Sequence, residues 1–186
     1  MNMTGEYILT APPETVWRAL NDPEILKQAI PGCESLEKVS DTELRAQVGM
    51  RVGPLQAKWS GSVTLSDLDP PHGYTISGSG SGGLAGSAKG GAKVRLEPHA
   101  QGTRLVYEAQ AQVAGKLAQL GSRLIDSTAK MMATQFFDRF QEIVGKPPEA
   151  ANAAGGPTAA GSSVPWAWIA AGVAALVVTL LVLATR

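Results

Sequence analysis

The chain has 186 residues, room for one domain of ordinary size and an appendage but not for two full domains. Lys and Arg together number 16, and so do Asp and Glu, which leaves no net basic field and argues against nucleic acid as a partner. Cys33 is the single cysteine, which excludes an intramolecular disulfide and a cysteine-rich zinc cage and fits a reducing compartment.

The first twenty residues hold Glu6, Glu14 and the pair Pro12 and Pro13, with no basic start followed by an apolar run. They do not read as a secretory signal, so the folded part is expected on the cytoplasmic side. Residues 4–10 (TGEYILT) predict a short strand, and residues 14–20 carry Val16, Ala19 and Leu20 at helical spacing behind two prolines that suit a first helical turn. Asp22 followed by Pro23 reads as an N-cap with proline at the first helical position, opening a second short helix that Pro31 and Gly32 stop.

Alternation takes over from residue 44. Leu44, Ala46, Val48, Met50 and Val52 oppose Glu43, Arg45, Gln47 and Arg51, and Trp59, Gly61, Val63 and Leu65 oppose Lys58, Ser60, Ser62 and Thr64. After a turn at residues 70–73, Tyr74, Ile76, Gly78, Gly80 and Gly82 share one face. A strand over 84–97 is expected to turn Leu84, Gly86, Ala88, Gly90, Ala92, Val94 and Leu96 inward, and one over 103–113 does the same with Leu105, Tyr107, Ala109, Ala111 and Val113. Residues 116–144 predict one long helix whose apolar stripe runs through Leu117, Leu120, Leu124, Met131, Phe136, Phe140 and Ile143. A strand, two short helices, about six strands and a long helix make an α+β domain over 1–145, a curved antiparallel β-sheet wrapped around its C-terminal helix.

Residues 146–164 (KPPEAANAAGGPTAAGSSV) are Ala, Gly, Pro and Ser with too little bulky apolar content to pack, and read as a flexible linker of about 25 Å r.m.s. span. Residues 165–185 then predict a transmembrane anchor helix. From Trp166 to Ala184 there is no charge and no proline, about 28 Å of helix, with two tryptophans at one end and Arg186 beyond the other. The expected location is the cell membrane, held by a single C-terminal pass.

The inward face of the strands over 74–97 is mostly Gly and Ala, where an ordinary core would place Val, Ile, Leu or Phe. Small residues either permit sharp sheet curvature, or mark a flexible loop at GSGSGGLAGSAKGG, or leave an internal cavity. In the cavity reading the wall is Trp59, Gly86, Ala88, Leu105, Tyr107, Leu120, Leu124 and Met131, nearly free of charge and suited to an apolar small molecule. Chemistry is poorly provided for: His72 and His99 lie in turns, no pair of ligands has metal spacing, and Cys33 has no histidine placed to activate it. The GxGxxG at Gly78, Gly80 and Gly83 stands outside any strand-to-helix turn of a parallel sheet and does not read as a dinucleotide site. Lys116, at the expected first turn of the long helix, reads as a solvated lysine or as a contact for an acidic partner or a lipid phosphate.

Several segments are familiar: APPETVW at 11–17, NDPEILKQAIPGCESLE at 21–37, GTRLVYEAQAQVAGKLAQLGSRLI at 102–125 and FFDRF at 136–140. Through them the chain resembles the CoxG family associated with molybdenum carbon monoxide dehydrogenases, within the START-like, Bet v 1-like superfamily of helix-grip domains. The resemblance implies a cavity for an apolar molecule and an accessory role that places the dehydrogenase at the membrane, and it carries over no catalytic residue. It further implies that Pro31, Gly32 and Cys33 shape a surface loop at the cavity rim for a molybdenum carbon monoxide dehydrogenase or related hydroxylase. A soluble enzyme oxidising a gas needs a lipid-soluble electron acceptor, so the expected ligand is a respiratory quinone, menaquinone or ubiquinone. The rival expectation is a small cyclase- or dehydratase-type enzyme of the same superfamily, or a general lipid binder.

Overall fold

In the structure, a computed structural model that describes residues 2–145, the alternating stretches become seven strands and the long apolar stripe becomes one helix. β1 (Asn2–Leu9) leads into α1 (Pro13–Leu20), which has proline in its first turn. α2 (Pro23–Ala29) follows, and the Asp22 carboxylate accepts the Glu24 N–H at 2.9 Å and the Ile25 N–H at 3.4 Å. Both helices thus start where the prolines and the cap place them.

Gly32, at φ +74, turns the chain into β2 (Cys33–Lys38), a strand the alternation did not reveal. Five long strands follow as a meander: β3 (Glu43–Val52), β4 (Leu55–Asp69), β5 (Gly73–Ser81), β6 (Ser87–His99) and β7 (Gly102–Ala114). β1 pairs with β7, so the antiparallel sheet has the order β1-β7-β6-β5-β4-β3-β2, with its first two strands at opposite edges. The sheet therefore has one strand before the two short helices and six after them, the expected order. β6 starts at Ser87, not at residue 84, because the residues before it form a 3-10 turn at Gly83–Ala85.

After β7 comes a second 3-10 turn, Leu117–Leu120, then Gly121 at φ +87, and only then α3 (Ser122–Val144). The expected stripe is otherwise kept: Leu117, Phe136 and Phe140 are buried and Leu120, Leu124 and Ile143 half-buried, and only Met131 turns outward, one position from the buried Met132. The side chains α3 buries are Ile125, Thr128, Ala129, Met132, Ala133, Phe136, Phe137, Phe140 and Val144, whereas Met131 is 50% exposed. Lys116 consequently stands ahead of the 3-10 turn rather than in the first turn of α3, and the dipole argument for it does not apply.

The sheet has two distinct ends. At one lie the β3–β4, β5–β6 and β7–α3 connections with the start of α3; at the other lie the β2–β3, β4–β5 and β6–β7 connections with α1 and the end of α3. Thr10 and Gln141 tie the last turns of α3 to the end of β1, the Thr10 N–H donating to Gln141 Oε1 at 3.1 Å. The predicted linker at 146–164 and anchor at 165–185 fall outside the described residues. Among those described, no helix is long and apolar enough to cross a membrane.

Candidate functional site

Strand register decides where the small inward residues meet. Ala46 stands opposite Gly61, Gly61 opposite Gly80, Gly80 opposite Ala88 and Ala88 opposite Val113, one unbroken row across five strands. A second row runs from Gly78 to Gly90 to Ala111. Both rows lie in the half of the sheet nearer the start of α3. In the other half the inward positions are Leu65, Ile76, Tyr74, Val94, Leu96 and Leu105, all buried. Along α3 the buried side chains run Ile125, Thr128, Ala129, Met132 and Ala133, then Phe136, Phe137 and Phe140. Side-chain volume is thus withdrawn chiefly from the sheet wall at one end, while the phenylalanines fill the other.

That second end has an apolar rim. Leu55, Ala57, Val113, Leu120 and Leu124 are half-buried hydrophobic residues against the core. A Cβ at Gly53 would lie 3.0 Å from Leu124 Cδ2, so the β3–β4 turn rests on the first turn of α3. Trp59 is buried just inside, and a Cβ at Gly82 would lie 2.6 Å from its ring, so a bare glycine lets the β5–β6 connection close over the indole.

Of the residues expected to wall a cavity, Trp59, Ala88, Leu120 and Leu124 are therefore gathered at this end. Leu105, 1% exposed, lies deep in the bulky half. Tyr107 points inward but toward the β1 edge, where it covers Gly5 and stacks at 6.0 Å on Phe137, which also stacks at 3.9 Å on Tyr7. Burial, with the neighbouring Tyr7 adding to it, pushes the Tyr107 hydroxyl up to about 12. Gly86 and Met131 are corrections. Gly86 forms the tight turn into β6 at φ +129 and packs on the Ala114 carbonyl, and Met131 faces solvent.

Pro31 is buried, Gly32 exposed and Cys33 half-buried at the start of β2. The Gly49 N–H donates to the Gly32 carbonyl at 2.9 Å, so this segment is bound to β3 rather than hanging as a free loop. Burial raises the Cys33 thiol, partly offset by Lys27, which fits the expected inertness. Lys116 is exposed.

Among the described residues, three buried polar atoms lack a hydrogen-bond partner: Trp17 Nε1, Tyr74 Oη and Asp126 Oδ1. Trp17 and Tyr74 meet edge to face at 5.3 Å inside the bulky half, and desolvation pushes the Tyr74 hydroxyl well up. Asp126 lies in the second turn of α3 and is partly exposed. Sequence reasoning missed all three, and alternation carries no signal for an unpaired atom. Among the described residues no group of His, Cys, Asp and Glu has the makings of a metal site.

A groove of about 780 Å³ also crosses the sheet. It is lined by Ser60, Ser62, Ser79 and Ser81 with Arg45 and Lys89, and also by Ala46, Gly61, Gly80, Ala88 and Val113, the whole of the first small row.

Residues 5–145, nearly the whole described part, match the family of the carbon monoxide dehydrogenase G subunit (CoxG). The chain belongs to the CoxG family. A conserved protein from Geobacillus kaustophilus is similar in structure, with 30% identity, a TM-score of 0.73, and coverage of 78% of this chain and 95% of that one. A protein from Thermus thermophilus shares 20% identity at a TM-score of 0.59 over 77% of this chain and 97% of its own. Ara h 8.0201 shares 19% at 0.57, over 77% and 97%. These last two establish the fold alone, and among curated proteins no match was found. The fold is thus the Bet v 1-like helix grip, and family and fold together are those of a ligand-binding accessory protein.

Proposed function

We propose that this CoxG protein is a non-enzymatic, membrane-anchored carrier. It holds an apolar molecule, a respiratory quinone, between the Gly/Ala rows and the first half of α3, and it brings a molybdenum carbon monoxide dehydrogenase to the bilayer. The observation that carries the ligand reading is the registered row of small residues Ala46–Gly61–Gly80–Ala88–Val113 across five strands. The family name supplies the enzyme partner. Each CH₂ of an isoprenoid tail that leaves water gains about 0.8 kcal/mol, so an apolar trough competes with lipid for the tail. Trp59, buried at the rim, offers a flat ring to a quinone head.

Organic extracts of the full chain purified from membranes should contain quinone. Ala88→Phe and Gly80→Leu should remove it while the circular dichroism and cooperative melting of the domain persist. Extracts without quinone, together with no rise in melting temperature on adding it, would sink the carrier reading. Recruitment is tested separately: deleting the gene should leave the dehydrogenase active with an artificial dye but absent from the membrane fraction. A second reading, a small enzyme, draws on Asp126, whose Oδ1 is buried and unpaired. It requires Asp126→Asn to abolish a turnover that the carrier reading does not contain.

A further inference from the structure

The end of the domain where the small rows open carries one side chain that the rest of the fold does not explain. Leu84, at the tip of the 3-10 turn Gly83–Ala85, is 88% exposed, far more than any other exposed large hydrophobic residue described. Nothing lies within 4 Å of a Cβ placed on Gly83, so the turn's tip faces open space while Ala85 stays buried at its base. Behind it sits the half-buried apolar rim of Leu55, Val113, Leu120 and Leu124.

Charge is sorted along the same axis. The stretches 51–59, 79–93 and 109–125, which build this end, contain Arg51, Lys58, Lys89, Lys93, Lys116 and Arg123 and no Asp or Glu. Asp126, the next carboxylate along α3, is half-buried. Lys58 pairs with Glu34 at 2.8 Å, but among the described residues Arg51, Lys116 and Arg123 have no carboxylate within ion-pair distance. The opposite end mixes Asp41, Glu43, Asp67, Asp69 and Glu97 with Lys38, Arg45, Arg95 and Arg104, and Lys38, Arg45 and Arg104 pair there with Asp41, Glu43 and Glu97. A protruding leucine on the same end as unpaired cations matches an anionic lipid surface, in which the apolar tip enters the acyl boundary and the cations meet phosphates.

We propose that this end docks on an anionic bilayer, with Leu84 inserted and Arg51, Lys116 and Arg123 on the headgroups, so that the Gly/Ala rows open toward the lipid. The inference deepens the carrier reading and rests on it for its purpose, while its geometry is independent of which ligand is held. Leu68 is the natural control, since it is 36% exposed and lies at the opposite end, where basic and acidic residues are mixed.

The full chain, in a Cys33→Ser background, is labelled at Leu84→Cys or at Leu68→Cys with an environment-sensitive dye and placed in vesicles of phosphatidylglycerol and phosphatidylcholine doped with nitroxide lipid. The Leu84→Cys label should be quenched and the Leu68→Cys label not, and the quenching should fall in phosphatidylcholine alone or at high salt. No quenching at position 84, equal quenching at both positions, or shielding of position 84 only on adding the dehydrogenase would overturn the proposal. A second variant keeps Cys33: Leu84→Glu should slow quinone uptake from the same vesicles by about tenfold with an unchanged melting temperature. Unchanged uptake would also overturn it. Quenching at position 84 with no quinone bound would sink the carrier reading alone, and bound quinone without quenching would sink the docking alone.

Discussion

Gly86 shows how one backbone angle outranks a side-chain pattern. At φ +129, with the Ala114 carbonyl where a Cβ would stand, it is the turn that admits the chain into β6. Gly86→Ala should therefore destabilise the domain by about 1–3 kcal/mol in urea denaturation, and an unchanged midpoint would refute the turn role. The inward positions Trp59, Ala88 and Leu105 were legible because each alternates with a polar neighbour on a regular strand. Leu84 and Gly86 were not, since within GSGSGGLAGS no regular alternation of large side chains marks which face is inside. Tyr74 and Tyr107 add a pH dependence. Both hydroxyls are raised by burial, Tyr107 to about 12, so the folded state keeps protons that the unfolded state releases near pH 10. Their contribution is fully present below about pH 10 and is lost as pH rises toward about 12. The urea midpoint should fall through that window, and Tyr107→Phe should flatten the fall; a pH-independent midpoint there would contradict it.

At the scale of elements, the short helices were readable from their starts because Asp22 and the prolines act locally. Asp22→Ala frees the N–H groups of Glu24 and Ile25 and should cost about 1 kcal/mol, read as a shift in the denaturation midpoint, with Asp22→Ser recovering most of it. β2 was hidden for the opposite reason. In CESLEK only Leu36 is a large buried apolar residue, and the strand is held by pairing with β3 through an irregular register between Cys33 and Ser35. Pairing is non-local, so neither composition nor period announces it. The stripe of α3 was found apart from Met131, whose place on the buried face is taken by Met132, while its first part, Leu117 to Leu120, forms a separate 3-10 turn ahead of Gly121. The two rows of small residues are likewise a fact about register. The sequence shows that each strand has Gly and Ala, but which of them stand opposite one another depends on hairpin connections that alternation does not measure.

At the scale of the molecule, the buried core runs from Met3 to Val144 among the described residues and is closed by pairing the first strand with the last. α3 is anchored at its far end by the Thr10 and Gln141 contacts, and the Gly145 N–H donates to the Gln141 carbonyl at 2.8 Å. Folding and anchoring should therefore be separable. A chain ending at Ala150 should melt cooperatively at nearly the temperature of the full chain, because the Phe136, Phe140 and Leu105 packing that dominates the bulky half is intact in both. The full chain, which adds the uncharged run from Trp166 to Ala184, should sediment with membranes after gentle lysis and need detergent, while the shortened chain stays in the supernatant. A full chain that stays in the supernatant would remove the anchor. A shortened chain that melts without cooperativity would show instead that residues beyond 145 complete the core, and the gradient from the Gly/Ala rows to the phenylalanines would then have to be read as a space this chain fills itself.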